Sequence, residues 1–272
     1  MAEFFRSEKV SSSITRIVDL AGVACYLIEG QERACLLDTC CGYGNIRTYV
    51  ESLTGKPAFV ILTHGHYDHT GGACFFDEVY MNPADLPVLK KHTLERKAFW
   101  EIDRQNIPTL EQVSYDSIHI YNGTPQPLRD GMNFDLGGVH VRMIHAQGHT
   151  PGMMCALVPE ERIMFFGDAC GMNVLLHDEF SSTASEYLRS LKRLKEHEDQ
   201  YDTVYRNHGS FTNEKSLLDN VIRCAELIVA GQDDHVPVEM FHKTLYQAKQ
   251  TGPNGRVDGK QGNILYAIEK RC

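Results

Sequence analysis

An apolar run that ends abruptly at three histidines and an aspartate decides the fold of this chain: Val60-Ile61-Leu62-Thr63-His64-Gly65-His66-Tyr67-Asp68-His69-Thr70-Gly71-Gly72. Imidazole and carboxylate groups suit divalent transition metals, and here they follow the end of a predicted buried strand. His64 and His66 are two residues apart, so an extended backbone projects them to the same side. Four ligands this close do not all fit one ion, so the pattern indicates two adjacent metals. The alternative interpretation is a polar loop with solvated histidines.

The composition is that of an ordinary globular protein. The chain has 272 residues, 42% hydrophobic and 23% charged, which suits one large domain or two closely packed halves. A net charge of −9 without a compensating basic stretch argues against a nucleic-acid partner. No apolar run approaches the roughly 20 residues that span a membrane, and residues 1–9 do not resemble a secretion signal. We therefore expect a cytoplasmic protein with no membrane or nucleic-acid partner; a homo-oligomer is possible.

The nine cysteines are expected to be reduced thiols. Their number is odd, no C-x-x-C pair occurs, and most lie within apolar runs, which excludes a zinc ribbon or a thioredoxin-type dithiol. Only Cys40, Cys41 and Cys170, beside the predicted metal loops, are candidates for a functional role, and small packing residues are the favoured interpretation.

Alternating apolar patterns and turn residues predict one compact domain over residues 1–272. A helical excursion at about 83–107, which Pro83-Ala84-Asp85 would cap, is either a lid over the site or a plain connecting helix. A helical extension follows after about residue 212. Strands are predicted at 14–18, 24–28, 34–38, 58–62, 78–81, 117–121, 132–136, 139–144, 153–158, 162–166, 203–205 and 263–268, and further helices at 45–54, 183–196, 213–230 and 238–249.

One pattern recurs where a predicted strand ends: an apolar run, a His or Asp, and a glycine. Strands that converge on one sheet edge would bring these side chains together. A first metal could take three imidazoles and keep open positions, and a second could take the remaining ligands with a carboxylate as bridge. Open positions indicate a catalytic site, because structural zinc prefers four closed ligands rich in cysteine. The first set is His64, His66 and His149; the second is Asp68, His69 and His208, with Asp168 bridging.

The ordered motifs resemble the metallo-β-lactamase superfamily. They are His64-x-His66-x-Asp68-His69, Gly148-His149-Thr150-Pro151-Gly152, Gly167-Asp168 and Asn207-His208-Gly209, with Asp38 at the end of an early strand. The resemblance covers about residues 15 to 210. It implies an α+β fold, a four-layer αββα sandwich of two mixed β-sheets flanked by helices. It also implies a hydrolase with two divalent ions, zinc in the first place and iron or manganese as alternatives, that uses a metal-bridging hydroxide.

The resemblance also implies two catalytic roles. Asp68 would hold the second metal, orient the attacking water and carry a proton to the leaving group. Asp38 would support the histidine loop from outside the metal's ligand set, as metal-bound histidines usually require.

Departures from known subfamilies narrow the substrate. The complete histidine cluster and the absence of an export signal disfavour a β-lactam hydrolase. Pro151-Gly152-Met153 departs from the Pro-Gly-His of glyoxalase II-like thioesterases. Ala169 follows Asp168, so the tyrosine of acyl-homoserine lactonases is missing. Tyr67, Tyr205 or His177 could replace it, although packing roles are favoured for each.

Two function classes remain open. The first is hydrolysis of a small-molecule ester, thioester or lactone. The second is a phosphodiesterase or phosphorylcholine-esterase-like activity, since the same site can attack phosphorus. A non-catalytic metal-binding protein is the least favoured interpretation, because a buried cluster of unpaired polar groups would be costly.

Overall fold

The computed structural model describes residues 4–272, so residues 1–3 of the predicted domain lie outside the described residues. The chain forms two compact units. The first extends to Met143 and includes Val158–Glu161, and the second consists of Ile144–Leu157 and Arg162–Cys272. The organisation as a single domain stays a prediction.

A seven-stranded mixed sheet is the framework of the first unit. Its first four strands are antiparallel neighbours, and the last four, from β4 on, are parallel. In spatial order the strands are β1 (Phe5–Lys9), β2 (Ile14–Asp19), β3 (Ala24–Glu29), β4 (Ala34–Leu37), β5 (Ala58–Ile61), β6 (Val79–Met81) and β7 (Gln126–Pro127).

The parallel pair β4–β5 exists because a helix returns the chain between the two strands. Helix α1 (Ile46–Leu53) is capped by Asn45, whose side chain accepts from the Thr48 N–H, and it buries Ile46 and Val50 against the sheet. This confirms the helix predicted at 45–54. The first unit also contains the antiparallel pair β8 (Asn133–Asp135) and β9 (His140–His145), and β9 ends at the start of the second unit.

The segment predicted as a helical excursion, at about 83–107, contains two helices. After the one-turn α2 (Tyr67–Thr70) come α3 (Leu86–Leu94) and α4 (Arg96–Asn106). The excursion is capped by Asn82, which accepts from the Ala84 N–H, and not by the Asp85 side chain. Short 3-10 turns lie at Ala73–Phe75, Pro83–Asp85, Pro108–Gln112 and Tyr115–Ser117.

The strand predicted at 117–121 is wrong. Tyr115–Ser117 is a 3-10 turn, and the residues after it have no strand partner among the described residues. Ile118 is buried in a cluster with Trp100 and Leu110. Ile118 packs beside Trp100 of helix α4, whereas Ile120 is exposed, so the apolar alternation of this segment does not mark a strand.

The second unit combines three sets of strands with two helices. Helix α5 (Ala184–Lys195) begins at a capping box of Thr183 and Glu186, and both α5 and α6 (Ser216–Ala230) contribute to the large apolar core. The first set, in spatial order, is β14 (Thr212–Asn213), β13 (Thr203–Tyr205), β11 (Ile163–Phe165) and β10 (Met154–Val158). The second set is β12 (Val174–Leu176), β19 (Ile264–Tyr266), β16 (Lys243–Gln247) and β15 (Val236–Met240). The third is the pair β17 (Thr251–Gly252) and β18 (Gly255–Arg256). Short 3-10 turns lie at Glu198–Gln200 and Ile268–Lys270.

The helix predicted at 238–249 is wrong, because this segment is the β15–β16 hairpin. Phe241 and His242 adopt left-handed φ values of 53° and 57° in the connecting turn, which a helix does not allow. Leu245 is fully buried beside Leu265, so pairing with β19 decides the conformation. Among the described residues after 212, the α-helical part is therefore α6, Ser216–Ala230.

The mixed sheets and helices confirm the predicted α+β class. Within residues 4–272, no helix has the length and apolar character that crossing a lipid bilayer requires.

Candidate metal centre

The histidine cluster in the first unit lies where β5 ends beside β4. The two strands are parallel and pair Leu37 with Ile61, so the residues after them leave the sheet at the same edge. Asp38 therefore lies beside Thr63, and its N–H donates to the Ile61 carbonyl at 2.8 Å. His64 and His69 are fully buried, while the side chain of Asp68 is 22% exposed.

Asp38 forms hydrogen bonds with two residues of this loop, Thr63 and His69. Its carboxylate accepts hydrogen bonds from the Thr63 N–H at 2.7 Å and from the Thr63 hydroxyl at 2.8 Å. It also contacts Nδ1 of His69 at 2.9 Å. Asp38 is fully buried and has a left-handed φ of 63°, a backbone conformation that aspartate tolerates better than most residues. These hydrogen bonds are the contacts through which Asp38 would support the histidine loop.

The ligand atoms within the loop have the separations that a shared ion requires. Nitrogens bound to one tetrahedral zinc lie roughly 3.3 Å apart, because Zn–N bonds are about 2.0–2.1 Å. Nε2 of His64 lies 3.1 Å from Nδ1 of His66. Nε2 of His69 lies 3.7 Å from Oδ2 of Asp68. The loop therefore contains two pairs of side chains that are each close enough for one ion, and His64 and His69 are also close to each other.

The ligands in the second unit follow the same rule of parallel strands. Strands β11 and β13 are parallel and pair Phe165 with Tyr205. Asp168 and His208 each lie three residues beyond their paired position, so both leave the sheet at one edge. Within each unit, two parallel strands that precede predicted site residues therefore end at the same edge of their sheet.

Asp168 lies between two histidines. Its Oδ2 is 3.6 Å from Nε2 of His149, and its Oδ1 is 3.6 Å from Nε2 of His208. One carboxylate thus presents a different oxygen to each imidazole. The His149 side chain is 5% exposed and that of His208 is 33% exposed, so the arrangement opens toward solvent on the His208 side.

Hydrogen bonds at Nδ1 orient three of the histidines. The Leu175 carbonyl is 2.9 Å from Nδ1 of His149, and the Asp38 carboxylate is 2.9 Å from Nδ1 of His69. The Thr63 hydroxyl is 3.0 Å from Nδ1 of His64. A carbonyl or carboxylate at Nδ1 places the proton there and leaves the Nε2 lone pair for a metal, as is usual for metal-bound histidine. The donor set therefore fits divalent metal.

The three candidate substitutes for the lactonase tyrosine have packing contacts. The Tyr67 hydroxyl donates to Asp103 at 3.1 Å, its ring stacks on Phe99 at 4.4 Å, and burial raises the pKa of its phenol. Tyr205 is buried within β13. The ring of His177 lies 4.7 Å from that of Phe241.

The cysteines near the loops are buried thiols. Burial raises the pKa of Cys40, Cys41 and Cys170 well above the ordinary thiol value. A thiol that stays protonated is a poor nucleophile and a poor metal ligand. This supports the packing interpretation for all three.

Two residues that contact the ligand loop were missed. Asp85 accepts from the Gly65 N–H at 2.8 Å, and Nδ1 of His92 accepts from the Tyr67 N–H at 3.2 Å. Both lie on the excursion, about 20 residues or more along the chain from their partners. No local spacing rule connects them to the loop, so the sequence carried no signal for either.

Mixed sheets with histidine and aspartate side chains grouped at strand ends are the arrangement that the motifs predicted. The sequence model described as the metallo-beta-lactamase superfamily matches residues 18–201. The chain belongs to this superfamily.

Two curated relatives are thioesterases by name. The acyl-coenzyme A thioesterase MBLAC2 of Gallus gallus is 25% identical over 233 residues, which are 76% of this chain and 84% of the relative. The atrochrysone carboxyl ACP thioesterase dmxR1 of Cryptosporiopsis sp. is 27% identical over 219 residues, 76% of this chain but only 57% of the relative. The chain thus spans little more than half the length of the fungal protein.

Solved structures share the fold. A metallo-beta-lactamase from Pontibacter korlensis aligns with a TM-score of 0.60 at 16% identity, over 82% of this chain and 99% of the other. The sec-alkylsulfatase Pisa1 from Pseudomonas sp. aligns with a TM-score of 0.65 at 15% identity, over 88% of this chain and 47% of the other. The predicted metallo-β-lactamase fold and the classification as a hydrolase are confirmed.

Proposed function

We propose that the protein is a dinuclear metal-dependent hydrolase that cleaves an acyl thioester. The contacts of Asp168 are the observation that carries this proposal. Its two oxygens address two different imidazoles at the same distance of 3.6 Å. A carboxylate with one oxygen for each of two ions is the natural bridge in a two-metal site.

The seven predicted ligands divide between the two ions. The first ion would take His64, His66 and His149. The second would take Asp68, His69 and His208, with Asp168 shared. This assignment is supported by the ligand separations within each unit and by the hydrogen bonds that orient the imidazoles. When bound, the two divalent ions, zinc in the first place and iron or manganese as alternatives, would supply a water of lowered pKa.

The protein's own groups then position and move protons. Asp68 accepts a proton from the attacking water. The resulting hydroxide adds to the thioester carbonyl carbon. The C–S bond breaks, and Asp68 returns the proton to the departing thiolate, so the products are a carboxylic acid and a thiol. Asp38 keeps His69 in the tautomer that binds metal.

The choice of a thioester rests on the relatives. The chicken protein is named for acyl-coenzyme A and the fungal protein for an acyl carrier protein, and both are thioesterases. A thioester also lies within the substrate class expected from the motifs. No described contact favours phosphorus over carbon, so a phosphodiester is the comparison substrate.

The test is metal analysis and turnover of protein purified without chelator. We expect close to two ions per chain, and hydrolysis of short-chain or long-chain acyl-coenzyme A faster than of p-nitrophenyl esters, lactones or bis(p-nitrophenyl) phosphate. Asp168→Asn and Asp168→Ala should lower the metal content. They should also reduce turnover by more than roughly 100-fold, because loss of an outer partner of a ligand already costs about 10–100-fold.

The matched control is Asp77→Ala, since this side chain is 96% exposed and contacts only a surface arginine among its described ion pairs. Full metal content in Asp168→Ala would refute the ligand assignment. Faster turnover of the phosphodiester than of every thioester would refute the substrate class.

A further inference from the structure

The backbone amide between the two first ligands is held by a residue far away in sequence. Gly65 separates His64 from His66, so the position of its peptide groups sets the geometry of the two imidazoles. The Gly65 N–H donates to Oδ2 of Asp85 at 2.8 Å, and Asp85 is fully buried. A buried N–H needs a partner, and this one is supplied by a carboxylate.

The helix that follows Asp85 lies directly against Gly65. A Cβ atom at this position would lie 2.8 Å from the Asp85 carbonyl oxygen, 2.8 Å from the Leu89 nitrogen and 3.0 Å from Cβ of Val88. Two of these three atoms are backbone, so they cannot give way by a side-chain rotation. Glycine is therefore required at position 65 by the close approach of helix α3, which is an observation independent of the hydrogen bond.

A second hydrogen bond joins the ligand loop to His92, near the end of helix α3. Nδ1 of His92 accepts from the Tyr67 N–H at 3.2 Å. The His92 ring also stacks on the His66 ring, with centroids 4.3 Å apart and planes at 20°. The next helix adds Phe99, whose ring stacks on those of Tyr67 and His92 at 4.4 Å and 4.8 Å. The same excursion thus contacts the ligand loop on its backbone and on two of its rings.

We propose that Asp85 and His92 are positioning residues that hold the His64-Gly65-His66 segment in its metal-binding geometry, so that the 83–107 excursion is a fixed support for the site. The inference rests on the proposed metal site and deepens it. A fixed support holds His64 and His66 in place before the ion binds, so binding does not have to order the loop. A movable lid would instead have to break these contacts at each turnover.

The first test is metal affinity by chelator competition in the full chain. Asp85→Ala and His92→Ala should each bind Zn²⁺ or Co²⁺ at least about 10-fold more weakly, the range found when outer partners of metal ligands are removed. The Co²⁺ absorption spectrum should change as well, because it reports the geometry of the ligands. Asp85→Asn retains an oxygen acceptor for the Gly65 N–H and should restore most of the affinity.

Two variants serve as matched controls. Leu94→Ala lies on the same excursion, is 76% exposed and should bind metal like the wild type. Gly55→Ala has no heavy atom within 4 Å of the added Cβ, so it should be silent, whereas Gly65→Ala should weaken metal binding as Asp85→Ala does.

The second test is amide hydrogen exchange in metal-free protein, which reports the support without any metal. Exchange over residues 63–69 should accelerate in Asp85→Ala and His92→Ala and stay unchanged in Leu94→Ala. If wild-type protein takes up no metal but the exchange result holds, the proposed function fails and the support remains. Folded Asp85→Ala and His92→Ala proteins with wild-type exchange and wild-type metal affinity would overturn the inference. If Asp85→Ala does not fold, the half-exposed His92 provides the same comparison.

Discussion

Replacement of Asp38 should separate the stability of the fold from the affinity of the metal site. The Asp38→Ala variant removes the acceptor of the Thr63 N–H and of Nδ1 of His69, both of which are buried. An unsatisfied buried donor costs about 1–3 kcal/mol. Alanine at a left-handed φ adds roughly 1 kcal/mol or more. The Thr63 hydroxyl also loses its acceptor, because Nδ1 of His64 carries the proton in the metal-binding tautomer and donates to the hydroxyl oxygen.

With three buried donors left without their acceptor and the left-handed backbone, the sum for Asp38→Ala is a loss of about 4–10 kcal/mol in the free energy of unfolding. This is a large part of the 5–15 kcal/mol typical of a domain. Asp38→Asn tolerates the left-handed backbone and retains one acceptor oxygen, so it should lose about 1–3 kcal/mol. Its amide must face one of the former donors, and metal affinity should fall about 10–100-fold through His69.

The assay combines urea unfolding followed by circular dichroism with metal titration by chelator competition. Asp77→Ala is again the control, because its carboxylate lies on the surface. A loss below about 1 kcal/mol in Asp38→Ala would refute the argument from buried donors. Wild-type metal affinity in Asp38→Asn would refute the argument that Asp38 acts through His69.

Three further predictions concern the second unit and the metals. Hydrogen bonds from the Thr183 N–H and hydroxyl lower the pKa of Glu186, so its contribution is present above the ordinary glutamate value of 4.5 and is lost as pH falls through the folded value. Urea unfolding should therefore show wild type losing stability relative to Glu186→Gln on acidification, and Thr183→Ala should cost about 1 kcal/mol at neutral pH. Gly148→Ala would place a Cβ 2.1 Å from the buried Tyr187 ring and should cost about 1–3 kcal/mol or prevent folding, whereas Gly55→Ala should not change the unfolding midpoint. Removal of metal by chelator should lower the melting temperature, since ions at 100 times their dissociation constant stabilise the folded state by about 2.7 kcal/mol, and an unchanged melting temperature would contradict a folded-state metal site.

The sequence alone led to the predicted chemistry of the site. Residue type and spacing are local properties, so the cluster from His64 to His69 and the single residues His149, Asp168 and His208 could be predicted as metal ligands from their side chains and from the apolar runs before them. The helices capped by Asn45 and Thr183 were predictable for the same reason, because a capping side chain acts within one turn of its own helix.

Only the tertiary structure decided which distant residues support the ligands. Segment 238–249 became a hairpin because pairing with β19 outweighed its helical pattern. Asp85 reaches Gly65 and His92 reaches Tyr67 only after helix α3 has packed against the loop. Such contacts depend on the sheet register and on close packing between elements, which no spacing along the chain encodes. The candidate ligands can therefore be predicted from the sequence, whereas the geometry in which they are held is a property of the folded protein.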